Sequence, residues 1–377
     1  MRVLVFELDF DFGGIESFIL NFINNVDLKS EGLQIDLVTS VDGHLAFEDK
    51  FIRENVSIIH TPSKKNLLRY KRGLEEIVQR NQYDIMHIQK NSLSNSIPVG
   101  IAVKYGIPFI VHAQNSASSY HNLVTEIIHK IQRQKLKKVK CIRFACGYNA
   151  AMWMFGTTND VSIIKNGINT GDFIRNDEIR KAVREDLEIG NEFTICNVGR
   201  FTRQKNHAFI IEIFNELKKK HPNSKLILVG DGEKFVETKR LVDKYNLEKD
   251  VYFCGALTRD EESKMLIASD VFLMPSLYEG VSIASMEAQM AGLSLLMSDT
   301  VDRDTDITGN VCFMSLEEPA ERWAETIVNK LMLNLPKYDE KVLVECFRKH
   351  GYDMTHTSRM IIETYRKMVN EKSICVK

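Results

Sequence analysis

The chain has 377 residues, too many for one ordinary hydrophobic core and enough for two domains of usual size. Hydrophobic residues make up 44% and charged residues 27%, the balance of a globular protein. The 50 basic and 51 acidic side chains leave a net charge of −1, which argues against a dedicated nucleic-acid binder, because neutralising phosphates takes a clear cationic excess.

Seven cysteines are scattered and form neither a C-x-x-C pair nor a zinc spacing, so reduced thiols in a cytoplasmic protein are expected. The opening "MRVLVFELDFDFGG" turns acidic too soon for a signal peptide. No apolar run nears the roughly 20 residues needed to span a bilayer. In chain order, "RVLVFEL" (2–8), "QIDLVTS" (34–40), "VSIIHT" (56–61), "DIMHIQ" (84–89) and "PFIVHAQ" (108–114) read as buried strands. Amphipathic stretches such as 15–26 and 68–80 lie between them, the βαβα alternation of a parallel sheet covered on both faces. After the charged segment 170–192 the pattern restarts with strands at 193–199, 224–230, 250–255, 270–275 and 293–298, each followed by a helical stretch. Two Rossmann-like domains are therefore expected, at 1–175 and 190–350, joined near 170–190. Ligands of open α/β sheets sit beyond the carboxyl ends of the strands, so two facing sheets imply a cleft between the domains. The last helix, 353–372, completes the second domain or returns to the first (with the terminus, 353–377); spacing does not decide.

The stretch "YEGVSIASMEAQMAG" (278–292) places Glu279 before a turn and Glu287 within a helix, roughly 12 Å apart if both are helical. A hydrolase carboxylate pair needs about 5–9.5 Å. The spacing suits a long ligand with hydroxyls at both ends and a phosphate between, lying on the helix N-terminus, with Gly280 allowing close backbone approach. In "NVGRFTRQKN" (197–206) a buried strand delivers Arg200, Arg203 and Lys205 just ahead of a helix, a pattern that fits phosphate. In "DFDFGGIE" (9–16) Gly13 and Gly14 follow the first strand; this is not G-x-G-x-x-G, so the dinucleotide fingerprint is absent. "VGDGE" (229–233) is a turn signal. Taken alone, each stretch also reads as a solvated loop or helix face.

Taken together, "GGIE", "VHAQN", "KNGIN", "VGRFTRQKN", "LVGDGE" and "YEGVSIASMEAQMAG" stand in the order seen in retaining glycosyltransferases of the GT-B fold, and the chain resembles their family 4, defined by an E-x7-E motif, over nearly its whole length. Within that family it looks like the bacterial capsular and exopolysaccharide enzymes. The resemblance implies an α/β, GT-B architecture and a role for each matching position. Glu279 would reach the donor sugar's hydroxyls and Glu287 the ribose of the nucleotide. The amides of Val281, Ser282 and Ile283, after Gly280, would contact phosphate or sugar. Arg200 and Lys205 would clamp the leaving diphosphate. Gly13 and Gly14 would bring backbone to the same diphosphate, with Glu16 towards the acceptor and His112 near the reaction centre. Asn166 would line the cleft, and Gly255 and Leu257 would receive the base. Many relatives carry glycine or proline at the position of Ser282, and proline near that of Ser294, so donor-sugar contacts differ here.

No cofactor and no metal are expected: Asp302, Asp304 and Asp306 only superficially resemble a D-x-D metal motif and read better as solvent-facing residues or a helix cap. The donor would be a nucleotide-diphosphate sugar, with UDP the expected nucleotide. The acceptor would be a saccharide, lipid-linked in many relatives. Residues 130–140 carry six cations, and Val124, Ile127, Ile128 and Ile131 recur at helical spacing, so 124–140 is a candidate for peripheral contact with an anionic membrane at its inner face. The rival reading is a solvated charged face. Two alternatives to a transferase stand: an epimerase-like enzyme of similar fold, against which the ordered GG-x-E and E-x7-E set argues, and a non-catalytic partner subunit, against which the intact Arg200, Lys205, Glu279 and Glu287 argue.

Overall fold

The computed structural model describes residues 1–9, 13–41, 43, 45, 48–115, 123–279, 281–334 and 339–375. It divides into two compact units. Domain one comprises Met1–Gly167 and Met354–Lys377, and domain two comprises Ile168–Asp353.

In domain one the strands are β1 (Arg2–Leu8), β2 (Gln34–Thr39), β3 (Val56–His60), β4 (Ile85–Lys90), β5 (Phe109–Ala113), β6 (Ile142–Ala145) and β7 (Ser162–Ile163). Helices α1 (Gly14–Asn24), α2 (Leu67–Arg80), α3 (Ile97–Tyr105), α4 (Leu123–Leu136) and α5 (Tyr148–Phe155) alternate with them. All pairings are parallel, in the order β3-β2-β1-β4-β5-β6-β7. The direction of winding reverses between β1 and β4, where doubly wound folds leave a crevice. Central strands are apolar on both faces because helices cover both. The buried Asp36 of β2 is compensated: the Arg2 guanidinium lies 2.7 Å away, and the Tyr83 and Ser57 hydroxyls donate to it at 2.6 Å. Burial and this anion push the Tyr83 phenol far up, so it stays a donor.

Domain two holds α6 (Asp177–Asp186), β8 (Phe193–Val198), α7 (His207–Lys220), β9 (Ser224–Val229), α8 (Phe235–Lys244), β10 (Val251–Gly255), α9 (Arg259–Ala268), β11 (Val271–Met274), α10 (Ile283–Met290), β12 (Ser294–Ser298), β13 (Val311–Met314), α11 (Ala320–Thr326) and α12 (Glu340–Lys349). Its parallel sheet runs β10-β9-β8-β11-β12-β13, so the reversal falls between β8 and β11. Both domains are Rossmann-like.

The boundary lies at Gly167/Ile168, ahead of the charged segment read as the joint. That segment is anchored inside domain two. Arg180 of α6 donates to the Ile267 and Ser269 carbonyls and pairs with Asp270 at 2.5 Å, and Arg184 donates to the Ala268 carbonyl at 2.7 Å. Charge that looks like a linker in sequence here satisfies the C-terminal carbonyls of α9.

The final helix, α13 (Met354–Cys375), belongs to domain one. Met354, Ile361, Ile362, Tyr365 and Met368 join Phe18, Phe22 and Ile23 of α1 over one face of the sheet. Strands β6, β7 and β13 were not read from the sequence, being only two to four residues long.

Candidate functional site

In domain two the motif residues gather at the β8/β11 reversal. The loop after β8 is held firmly. Phe201 is fully buried and stacks on the His207 ring, centroids 3.9 Å apart. Its N–H donates to the Asp231 carbonyl, while its own carbonyl accepts from Lys234 N–H. Asn206 takes a left-handed backbone, φ 57°, and its side chain donates to the Pro275 carbonyl at 3.1 Å. The loop after β11 is tied to this one: Leu277 N–H donates to the Gln204 carbonyl at 2.8 Å, and Gln204 Nε2 donates to the Tyr278 carbonyl at 2.9 Å.

These ties bring Lys205 Nζ to 2.7 Å from Glu279 Oε2, both side chains largely shielded from water. A charge-assisted contact of this kind contributes about 1.5–3 kcal/mol when hydrogen-bonded and part-buried. Arg200 opens the same loop with its side chain exposed. Glu279 itself is extended rather than helical, bridging to Val301, so the helix begins later than the motif. Ser282 caps it, Oγ accepting from Ser285 N–H, and Ile283 is its first residue. The serine that stands where relatives carry glycine or proline thus serves as the N-cap. Val281 is half-buried, and Gly280 lies outside the described residues.

Glu287 is buried one turn into α10. Burial pushes its carboxyl well above the usual range, the neighbouring Glu262 pushes it further, and Arg259 pulls the other way. Arg259 Nη2 lies 3.1 Å from Glu287 Oε1, and its Nε donates to Asp172 at 3.2 Å. Gly255 ends β10, its carbonyl accepting from Gly230 N–H at 2.8 Å, and Leu257 is half-buried two residues on.

In domain one, Gly13 and Gly14 sit at the start of α1, beside the β1/β4 reversal, with open space next to Gly14. Glu16 is buried and accepts from Asp9 N–H at 2.9 Å and Gly13 N–H at 3.0 Å, bracing the ends of the segment whose residues 10–12 lie outside the described residues. His112 on β5 is fully buried. Its Nδ1 meets His87 Nε2 at 3.2 Å, and His87 Nδ1 meets the Tyr365 hydroxyl at 2.6 Å. Burial, reinforced by His87, holds His112 neutral, and its Nε2 is buried without a hydrogen-bond partner. Asn166 donates to Gln114 Oε1 at 2.9 Å, and Gln114 to Gln89 Oε1 at 2.7 Å, an amide chain across the carboxyl ends of β4 and β5. The Asn166 Oδ1 is likewise buried and unpaired. Two polar atoms beside this row, His112 Nε2 and Asn166 Oδ1, are therefore buried without a hydrogen-bond partner.

Among the described residues no group of three or more histidine, cysteine, aspartate and glutamate side chains is placed to hold a metal ion, and no helix is long and apolar enough to cross a membrane. Asp302 caps the short turn Arg303–Thr305 through Asp304 N–H, and Asp306 accepts from Gly309 N–H at 2.8 Å.

Residues 179–310, most of domain two, match the family Glycosyl transferases group 1. Over that stretch the chain is similar to group 1 glycosyltransferases, the family that the order of its motifs suggested. Over 364 residues the chain is 27% identical to EpsF of Bacillus subtilis, a protein assigned as a glycosyltransferase, covering 94% of this chain and 93% of that one. It is 27% identical over 315 residues to the UDP-Gal:alpha-D-GlcNAc-diphosphoundecaprenol alpha-1,3-galactosyltransferase of Escherichia coli, covering 77% and 76% of the two chains. Its fold is that of Anabaena HepE, solved in complex with UDP and glucose (TM-score 0.76, 14% identity, 97% and 100% coverage), and of a Rickettsia africae glycosyltransferase (0.75, 16%, 98% of both). This is the GT-B fold.

Sequence reasoning missed Gln204, Arg259, Glu262, Asp172, Gln89 and Gln114. Gln204 stands between the two motif cations and was open to notice. Gln114 lies within "VHAQN" and was open to notice too, whereas the others are distant in sequence from the residues they touch.

Proposed function

We propose that the chain moves a hexose or N-acetylhexosamine from a nucleotide-diphosphate sugar, with UDP the expected nucleotide, to a saccharide hydroxyl, retaining the anomeric configuration, in bacterial surface polysaccharide assembly. The Lys205–Glu279 pair at 2.7 Å across the β8/β11 reversal carries this reading. It puts a cation for the diphosphate against a carboxylate for the sugar at the carboxyl edge of the sheet, where such folds bind ligands. The UDP held by HepE and the UDP-galactose named for the Escherichia coli relative support the nucleotide.

In this reading Arg200 and Lys205 balance the charge that grows on the departing diphosphate, with no metal or cofactor called for. Glu279 and the amides of Gly280, Val281, Ser282 and Ile283 hold sugar and phosphate. Glu287 holds the ribose, and the backbone at Gly255 and Leu257 receives the base. Within domain one, Gly13 and Gly14 offer backbone N–H groups to an anion, braced by Glu16, and His112 and Asn166 are the polar groups for a hydroxylated ligand. The acceptor oxygen attacks the anomeric carbon on the face the diphosphate leaves, and a diphosphate oxygen takes the acceptor's proton. Positioning and electrostatics then carry the rate.

The test is a melting and turnover panel of UDP-, GDP- and ADP-sugars, with and without a lipid-linked saccharide. A shift with UDP that shrinks in Arg200→Ala and Glu287→Ala, with UDP released on adding acceptor, is expected. No shift with any nucleotide overturns the reading and favours a non-catalytic subunit.

A lipid-linked acceptor is favoured by the surface of domain one. Leu123, Val124, Ile127 and Ile131 of α4 are all exposed beside the cations of 130–140, and Tyr148 and Met152 of α5 are exposed too. At the start of α2, Leu67 and Leu68 are 54% and 81% exposed, within a stretch that carries five cations and no acidic residue between 55 and 74. Apolar tips among cations suit an anionic bilayer surface. Ile127→Asp with Ile131→Asp, and Leu67→Asp with Leu68→Asp, are expected to lower binding to phosphatidylglycerol vesicles at least tenfold. Unchanged binding in both pairs excludes this contact.

A further inference from the structure

Arg259 is the first residue of α9, and the helix start around it is fixed: Thr258 N–H donates to Glu261 Oε2 at 2.8 Å in a capping box. Its guanidinium is gripped from several sides. Asp172 accepts from Nε at 3.2 Å, the Phe173 ring centroid lies 5.0 Å from the guanidinium carbon, and Glu287 Oε1 lies 3.1 Å from Nη2. Asp172 is itself held, its carbonyl accepting from Ser263 Oγ at 2.5 Å and its Oδ1 from Asn169 at 2.5 Å. The Nη2 group is buried and, although beside Glu287, makes no aligned hydrogen bond. It is ion-paired, but not aligned in a hydrogen bond, with the carboxylate assigned to the ribose. Glu262 stands three residues beyond Arg259 on α9, on the same helix face.

We infer that Arg259 is a positioning residue of the nucleotide site, holding the Glu287 carboxylate in place and ionised against the like charge of Glu262, so that both of its oxygens can accept from the ribose hydroxyls. This rests on the donor-site reading above. The charged groups facing Glu287 are Glu262 and Arg259 from α9 and Asp172 from the turn before α6. Burial and the two carboxylates favour the protonated form of Glu287, and only Arg259 opposes them. Remove Arg259 and Glu287 takes up a proton. A neutral carboxyl has turned one acceptor oxygen into a donor, and it grips a diol less well. Nucleotide then binds only the ionised fraction, so apparent affinity rises with pH until that fraction saturates.

The experiment is calorimetric titration of the full chain with UDP from pH 6 to 9. In Arg259→Ala the affinity is expected to fall about tenfold at pH 6.5, with the loss shrinking as pH rises, so that the profile moves up by roughly one unit for each tenfold. Adding Glu262→Gln to Arg259→Ala should move the profile back, because a neutral amide no longer repels the Glu287 charge. Arg259→Lys should keep the wild-type pH profile with weaker binding, since the charge stays but the planar fork is lost. If Arg259→Ala does not fold, Arg259→Gln with and without Glu262→Gln carries the same comparison. Equal affinity in wild type and Arg259→Ala, or a loss identical at every pH, overturns the inference, the latter leaving Arg259 a packing role. A wild type that binds no UDP at any pH overturns the donor-site reading itself, a result distinct from either.

Discussion

Lys205 and Glu279, the residues on which the proposed donor site rests, are joined without any ligand. The cation is already charge-paired, so its flexible stem is ordered against the carboxylate rather than waving in water. Lys205→Ala should cost little stability, about 1–2 kcal/mol, because the Glu279 side chain keeps some access to water and a weak bond from Gln204 at 3.3 Å. It should lower turnover at least a hundredfold, as loss of one preorganised transition-state donor typically does. Denaturant titration and initial rates on one preparation check both halves, and a variant that turns over normally ends the assignment. The histidines of β4 and β5 make a second prediction at this scale. Burial takes His87 down to about 3, below its unfolded value near 6.5. The folded state therefore binds fewer protons than the unfolded one in that window. Stability is full above pH 6.5 and is lost as pH falls towards 3. At pH 5 the cost is about 2 kcal/mol for His87 alone. Comparing denaturation at pH 7 and pH 5, the drop should be smaller by about that amount in His87→Gln than in wild type.

Loops at the carboxyl edge of domain two depend on each other through backbone contacts too close for any side chain. Gly230 has φ +130°, and a Cβ there would stand 2.2 Å from the Gly199 carbonyl oxygen; at Gly232, φ +152°, it would stand 2.7 Å from the Phe201 carbonyl oxygen. "VGDGE" looked like a mere turn in the sequence, yet it forms the wall behind the Arg200–Lys205 loop. Gly230→Ala should destabilise domain two by about 3 kcal/mol through strain at a glycine-only conformation and a displaced neighbour. It should also remove UDP binding, although residue 230 bears no functional group. A Gly230→Ala protein that melts and binds like wild type would show that this packing has no such role.

Across the whole molecule, the two domains have separate cores, and the C-terminal helix completes the first. Ending the chain at Asp353 removes Met354, Ile361, Ile362, Tyr365 and Met368, five buried side chains each contributing about 1.5–3 kcal/mol. The sum is comparable to the entire stability of a domain, so domain one should fail to fold. Residues 168–353 expressed alone should stay folded, since they form a compact unit with cores of their own. Limited proteolysis of the two proteins checks this: the truncated chain should lose domain one rapidly and leave a resistant core from domain two.

The amino-acid order alone determined the class of fold and ten of the strands, because burial on both faces writes itself as short apolar runs, and it marked the candidate site by glycines and cations at strand ends. It also placed Arg200, Lys205, Glu279 and Glu287 in one motif order. Only the tertiary structure decided that Lys205 pairs with Glu279, that Glu287 lies against Arg259 and Glu262, that His112 is stacked on His87 with Tyr365 behind it, and that the charged segment after Ile168 belongs to domain two. These pairs stand up to 278 residues apart and join through the packing of separate elements. A periodic pattern reports which face of an element is buried, but not which residue of another element it will meet. Glu279 and Lys205 are brought together by the strand order β8-β11, which local sequence does not encode.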